Sequence, residues 1–332
     1  MKSKRTFRIA GKLKQAVLVG VLASVSAGVA AAEQWPSQPL RMLVGFAAGG
    51  ANDILARLVA KELSVSLGQP VVVENRAGAG GMIAADLLAK AAPNGYTLLL
   101  GSAGTNTVAP NMAVNLNYDP RKDLAPVSLV ADSGNVLLVN KDLPVNNVKE
   151  LVELAKKEPG TLNYASSGNG STLHLAGALF AKKAGVDIVH VPYRGNSQAM
   201  TDLSAGQVQM SFSGIPPALQ AVQGGQVRML AVTMPERSKA MPDVPTVAES
   251  GVPGYSYSSW YGLFTTGGTD PAIVERLAEE TAKILKKPEI IEQFMAQGVE
   301  PVSNTPAEFA AQVDSELTFW GKELKELGIS AQ

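Results

Sequence analysis

Residues 40–107 read LRMLVGF AAGGAND ILARLVAKELSVSLGQP VVVEN RAGAGG MIAADLLAKAAPNG YTLLL GSAGTNT, and the fold class follows from this stretch. LRMLVGF (Leu40–Phe46) is almost wholly apolar, as a strand covered on both faces is. It runs through a glycine-rich turn into ILARLVAKELSVSLG, where Ile54, Leu55, Leu58, Val59 and Leu63 fall on one helical face. VVVEN makes the next strand, RAGAGG a turn, MIAADLLAKAA a helix and YTLLLGS a further strand. Strand, helix, strand repeated through short loops predicts a parallel sheet covered by helices.

The logic recurs downstream. VKELVELAKKE, STLHLAGALFAKKAG, SQAMTDLSAG and PPALQAVQGG read as helices, interleaved with the strands TLNYASS, DIVHVPY, QVQMSFS and VRMLAVT. Two α/β units therefore lie side by side, as a chain of 332 residues favours. The end differs: DPAIVERLAEETAKILKK opens with Asp270 as N-cap and Pro271 at N1, and TPAEFAAQVDSELTFWGKEL with a capping box of Thr305 and Glu308. With no strand between them, these helices are expected to pack on the first unit. Two punctuated segments, Asn117–Asn140 and Pro235–Phe264, are expected to cross between the units and form a hinge. The expected division is residues 33–133 plus 258–332 for one lobe and 134–257 for the other.

Lys2, Lys4, Arg5, Arg8, Lys12 and Lys14 precede the uncharged stretch Ala16–Ala32, which ends in Ala30 and Ala32 spaced as A-x-A before Glu33. That pattern is a secretory signal peptide over residues 1–32, and the stretch is too rich in Ala, Gly and Ser for a membrane anchor. No cysteine follows it for lipidation, and no twin arginine precedes it, so a periplasmic protein is expected. Removing those cations from 29 leaves 23 basic against 29 acidic residues, a formal charge of about −6 on the remainder, which argues against a nucleic-acid partner. Zero cysteines exclude thiolate nucleophiles, disulfides and Cys-ligated metals, and two histidines leave little for a metal site.

FAAGGAND places Gly49 and Gly50 at a predicted helix start, where glycines let backbone N–H groups converge on an anion and the helix N-terminus favours its charge. YASSGNGST (Tyr164–Thr172) and GSAGTNT (Gly101–Thr107) repeat the Gly/Ser/Thr/Asn mixture after strands. Each alone is a weak signal, since such loops are usually just turns; together they sit at the strand ends where open α/β sheets bind ligands. Dinucleotide and phosphate fingerprints fail, with Ile83 and Leu173 where glycines are needed, and no G-x-S-x-G is present. His174, three residues after Ser171, reads either as a ligand contact or as a cleft histidine without that role; His190, between apolar neighbours in DIVHVPY, reads as a strand residue. Arg57, four residues after Asp53, reads as an intrahelical ion pair, and Arg194 fits either a site or a structural role.

FAAGGANDILAR, VVVENRAGAGG, GYTLLLGSAGTNTVAPNM, NYASSGNGSTLHLAGALF, VPYRGNSQAMTDLSAGQVQMSF and LAVTMPERSKAMPDVPTVAESGVPGY together resemble the extracytoplasmic solute-binding proteins of tripartite tricarboxylate transporters, the Bug family. The resemblance spans the chain from about Trp35 to the last helix. It implies a type II periplasmic-binding-protein fold whose two α/β lobes, joined by a two-segment hinge, close on a small carboxylate. It further implies a two-component membrane permease as partner. A monomer without cofactor or catalysis is expected, and a membrane sensor in place of the permease is a further alternative. Carried over by motif, the ligand contacts are Phe46, Ala48, Gly49, Gly50, Asn52 and Asp53, then Ser102, Thr105 and Asn106, then Ser166, Gly168, Gly170, Ser171, His174 and Tyr193. The first loop reads A-A-G-G where many relatives carry a proline before the paired glycines. A secreted α/β hydrolase, with Ser166, Ser171 and His174 as nucleophile and base, is the alternative from another class.

Overall fold

The computed structural model describes residues 35–113, 115–193, 195–239 and 241–329; the expected signal peptide and Arg194 lie outside the described residues. β1 (Leu40–Val44), with only Arg41 exposed, continues through a loop into α1 (Ala51–Leu67), which buries Leu55, Val59 and Leu63. β2 (Val71–Asn75), α2 (Met82–Ala89) and β3 (Thr97–Ser102) complete the first unit. A π-helical turn over Gly104–Val108 and the single turn α3 (Ala109–Met112) follow. The 17-residue β4 (Leu124–Asn140) fills most of the first punctuated segment. Then come α4 (Val148–Lys157), β5 (Asn163–Ser166), α5 (Thr172–Ala184), β6 (Val189–Pro192), α6 (Asn196–Ser204), β7 (Met210–Gly214), α7 (Ile215–Gln223) and β8 (Val227–Val232). The chain closes with β9 (Ser258–Thr266), α8 (Pro271–Ile284), α9 (Pro288–Ala296), the short β10 (Glu300–Pro301) and α10 (Pro306–Glu326).

The strand order is β2-β1-β3-β9-β4-β7-β5-β6, with β8 and β10 pairing β4 off that path. β1 is parallel to β2 and β3, and β5 to β6 and β7, as strand–helix–strand units require. The expected all-parallel sheet is corrected at its centre, where β9 runs antiparallel to β3 and β4, and β4 antiparallel to β7 and β8. None of these pairs joins strands consecutive in the chain, so no strand–helix–strand crossover imposes parallel pairing on them. β4 serves both halves: Leu124 to Gly134 pair β9, and Asn135 to Asn140 pair β7 or β8.

Each half has its own core. Leu43, Leu99, Trp260, Phe264 and Phe309 pack in the first, with Trp260 and Phe309 edge-to-face at 5.2 Å. Leu137, Tyr164, Phe180 and Phe212 anchor the second, and Val136, Leu138, Ala199 and Ile215 a third on its other face. The capping box at Thr305 and the Asp270 cap form as read from sequence. α10 reaches further than expected: Phe309, Val313 and Leu317 join the first core, whereas Trp320 and Leu324 join the second. A 21-residue helix is about 30 Å long, enough to span both, and each large side chain it buries contributes about 1.5–3 kcal/mol. Among the described residues no helix is long and apolar enough to cross a membrane.

Candidate functional site

The loop from Phe46 to Gly50 enters α1 with Gly50 as N-cap and no side chain over the first amides. A helix N-terminus in that state attracts anions. Gly49 adopts φ 85°, but its N–H donates to Asp53 Oδ2 at 2.9 Å. The same carboxylate accepts from Arg57 Nε at 3.0 Å and from Asn75 Nδ2 at 2.9 Å, while Asn75 Nδ2 also donates to the Phe46 carbonyl at 3.0 Å. The Arg57 guanidinium, outweighing burial and helped by the Gly49 amide, holds the Asp53 carboxyl at about 2. Asp53 and Arg57 thus form the i,i+4 pair read from sequence, and the pair fastens the loop. Asn52 faces the cavity with a buried Nδ2 that has no hydrogen-bond partner.

At the end of β3, the Ser102 hydroxyl donates to Thr105 Oγ1 at 3.2 Å, and Thr105 Oγ1 donates to the Gly80 carbonyl at 2.9 Å. Asn106, 1% exposed, turns inward and accepts from the Ser102 N–H at 3.1 Å. Behind this π-helical turn, Glu316 on α10 receives Thr107 Oγ1 at 3.1 Å and Trp260 Nε1 at 2.9 Å, with its carboxyl pushed up by burial.

The loop after β5 is tethered by histidines. His190 Nε2 lies 2.6 Å from Ser166 Oγ, and that oxygen accepts from the Gly168 N–H at 3.1 Å. His174 Nδ1 accepts the Gly170 N–H at 3.0 Å, and the His174 backbone N–H donates to the Ser171 N-cap hydroxyl at 3.2 Å. The two imidazoles stack at 3.9 Å, with Tyr164 against His190. Burial, with His174 beside it, lowers His190 to about 4, and burial lowers His174 as well. Tyr193 donates to Asp202 Oδ2 at 2.7 Å; burial first and Asp202 second push its hydroxyl up to about 12. The hydrolase constellation is not assembled: Ser166 is fully buried, and His174 Nδ1 points at the Gly170 amide rather than at either serine.

The loops meet around a cavity of about 350 Å³. Of the residues carried over by motif, Phe46, Asn52, Ser102, Thr105, Gly170 and Ser171 line it. Ala48, Gly49, Gly50, Asp53, Asn106, Ser166, Gly168, His174 and Tyr193 stand outside that lining, several as the tethers just described. Sequence reasoning missed Gly80, Gly104, Val108, Ala109, Met112, Ser259 and Tyr261. Gly80 and Met112 sit inside quoted motifs, but Ser259 and Tyr261 arrive on β9 with no local signal. Among the described residues no acidic or basic side chain lines the cavity, whose walls combine hydroxyls with Phe46, Val108, Ala109 and Met112.

A mixed α/β sheet with Gly/Ser/Thr loops from both halves around one cleft defines the class of periplasmic solute-binding proteins. A family model described as Tripartite tricarboxylate transporter family receptor, TctC, matches residues 55–329, and the chain belongs to that family. Protein BugT of Bordetella pertussis is 38% identical over 91% of this chain and 94% of its own length. The structure titled R. palustris Rpa4515 with adipate superposes with a TM-score of 0.74 at 36% identity, covering 89% of this chain and 99% of that one. MatC (Rpa3494) from Rhodopseudomonas palustris with bound malate superposes with a TM-score of 0.69 at 33% identity, covering 86% and 99%. The chain is thus a solute-binding protein of the TctC/Bug family, whose members are periplasmic binding proteins.

Proposed function

We propose that this protein captures a small carboxylate in its cleft and delivers it to a two-component membrane permease of the tripartite tricarboxylate type, without catalysis. The observation that carries the reading is the cleft lining: among the described residues free of acidic and basic side chains, it presents hydroxyls and the unpartnered Asn52 Nδ2 beside the N-termini of α1 and α5. Such a lining holds a carboxylate through N–H and O–H donors without an arginine. The apolar wall of Phe46, Val108 and Met112 favours a ligand with a hydrocarbon body, in line with the adipate named for one relative.

The lobes of this reading are residues 33–133 with 258–332 and residues 134–257. The change of β4 partners between Gly134 and Asn135 supports that division, and the two core contributions of α10 add a strap across it. Export to the periplasm rests on the expected signal peptide. A thermal-shift screen across mono-, di- and tricarboxylates tests the function: a ligand at a hundredfold excess over Kd adds about 2.7 kcal/mol to stability, so the right carboxylate raises Tm by several degrees. Sugars and amines leave Tm unchanged. A broad carboxylate panel without stabilisation would overturn the reading.

A further inference from the structure

The turn from Gly78 to Gly81 separates two cavities. Gly80 lines the cleft, while Ala79 borders a second crevice of about 250 Å³ formed by α2 and residues 115–118. The turn stays in the left-handed region residue after residue, with φ 134° at Gly78, 47° at Ala79, 64° at Gly80 and 94° at Gly81. Alanine there is strained by about 1–2 kcal/mol, so its surroundings must hold it. One such hold is the Thr105 hydroxyl, which ties the Gly80 carbonyl to the cleft at 2.9 Å.

The crevice walls are apolar, with Ile83 and Leu87 at the rim 46% and 39% exposed. Four polar side chains interrupt them: Asn115 and Asn117, both exposed, and Asp86 and Tyr118. Asp86 Oδ1 and Tyr118 Oη are both buried and both without a hydrogen-bond partner, and Tyr118 is 7% exposed. The other Asp86 oxygen engages Lys90 at 2.7 Å, and among the described residues no cation lines the crevice itself. An apolar occupant would leave Asp86 Oδ1 and Tyr118 Oη unsatisfied, which costs about 1–3 kcal/mol per buried group, and an anion would be repelled. A guanidinium on an aliphatic stem satisfies both: the stem lies on Ile83 and Leu87, and its forked N–H groups meet two acceptors.

We propose that this crevice is a docking point for an arginine side chain of the membrane partner, sharing one left-handed turn with the ligand cleft. That the partner is a membrane protein rests on the receptor reading above; the chemistry of the crevice does not. The exposed rim favours an arginine presented by a protein over a free small molecule, since it offers apolar contact beyond the side chain itself.

Methyl-labelled full chain, followed by NMR at Ile83 and Leu87, tests this with n-butylguanidinium, its neutral analogue n-butylurea, and a capped Leu-Arg-Leu tripeptide. The tripeptide is expected to saturate at concentrations at least tenfold below n-butylguanidinium, n-butylurea to cause no shift, and Asp86→Asn to weaken the tripeptide at least tenfold. Equal response to n-butylurea, undiminished affinity in Asp86→Asn or no response at all would overturn the arginine site. Equal affinity for n-butylguanidinium and the tripeptide would make it a small-cation pocket and overturn docking. Carboxylate-induced stabilisation, read on the same samples, tests the receptor reading separately.

Discussion

In the loop after β1, a carboxylate does the fastening: Asp53 gathers the Gly49 amide, Arg57 and Asn75. In the loop after β5, neutral rings do the same work: His190 steadies Ser166, and His174 takes the Gly170 amide. Both loops bring a helix N-terminus to one cleft, yet they respond to different conditions. A carboxylate held at about 2 keeps its charge through any physiological pH, whereas a half-buried histidine pair works only while unprotonated. The difference also separates lining from support, because Gly170 faces the cavity while Gly49 has given its N–H to Asp53.

Gly170→Val should produce the largest effect. The glycine has φ 71°, and a Cβ there would stand 2.6 Å from Met112 Cε across the cleft, so the new side chain both strains the loop and fills the cavity. Carboxylate-induced stabilisation should vanish, a loss of at least a hundredfold in affinity or about 2.7 kcal/mol by titration calorimetry. Retained affinity in a folded variant would remove the loop after β5 from the site.

Asp53→Asn comes next. It trades a charged acceptor for a neutral amide at a residue 3% exposed, and should cost about 1.5–3 kcal/mol in urea denaturation. An unchanged midpoint would mean that the charged network fastens nothing.

Gly49→Val should cost less, about 1–2 kcal/mol of backbone strain, because nothing lies within 4 Å of its Cβ position. Its affinity for carboxylate should fall far less than that of Gly170→Val. If the two variants lose affinity equally, the distinction between supporting and lining loop fails.

The smallest effect is the pH response. The contribution of Asp53 is complete above its ordinary 3.8 and is lost only as pH falls through about 2. His190, lowered from 6.5, contributes fully above 6.5 and loses that contribution as pH falls toward about 4, and His174 is shifted in the same direction. Tm should therefore decline by a few degrees between pH 7 and 4.5, and His190→Gln should flatten the decline. A decline of the same size in His190→Gln would place the titrating group elsewhere.

Sequence alone determined the local elements of this protein, because they rest on interactions spanning a few residues. The apolar runs of β1 and β3, the stripe of α1, the caps at Asp270 and Thr305 and the Asp53–Arg57 pair are each written within one or two turns of chain. The same holds for the glycine loops that bring Asn52, Ser102 and Ser171 to the cleft. Tertiary structure decided what depends on distant segments arriving together. Ser259 and Tyr261 join the cleft because β9 pairs with β3, some 160 residues earlier. His190 supports Ser166 because β5 and β6 lie side by side, and α10 belongs to two cores because its length exceeds either one. Even the role of Gly49 turned on such an arrangement: its backbone freedom was legible from the glycine itself, but the destination of its N–H depended on how Asp53 was held by Arg57 and by Asn75 from the neighbouring strand.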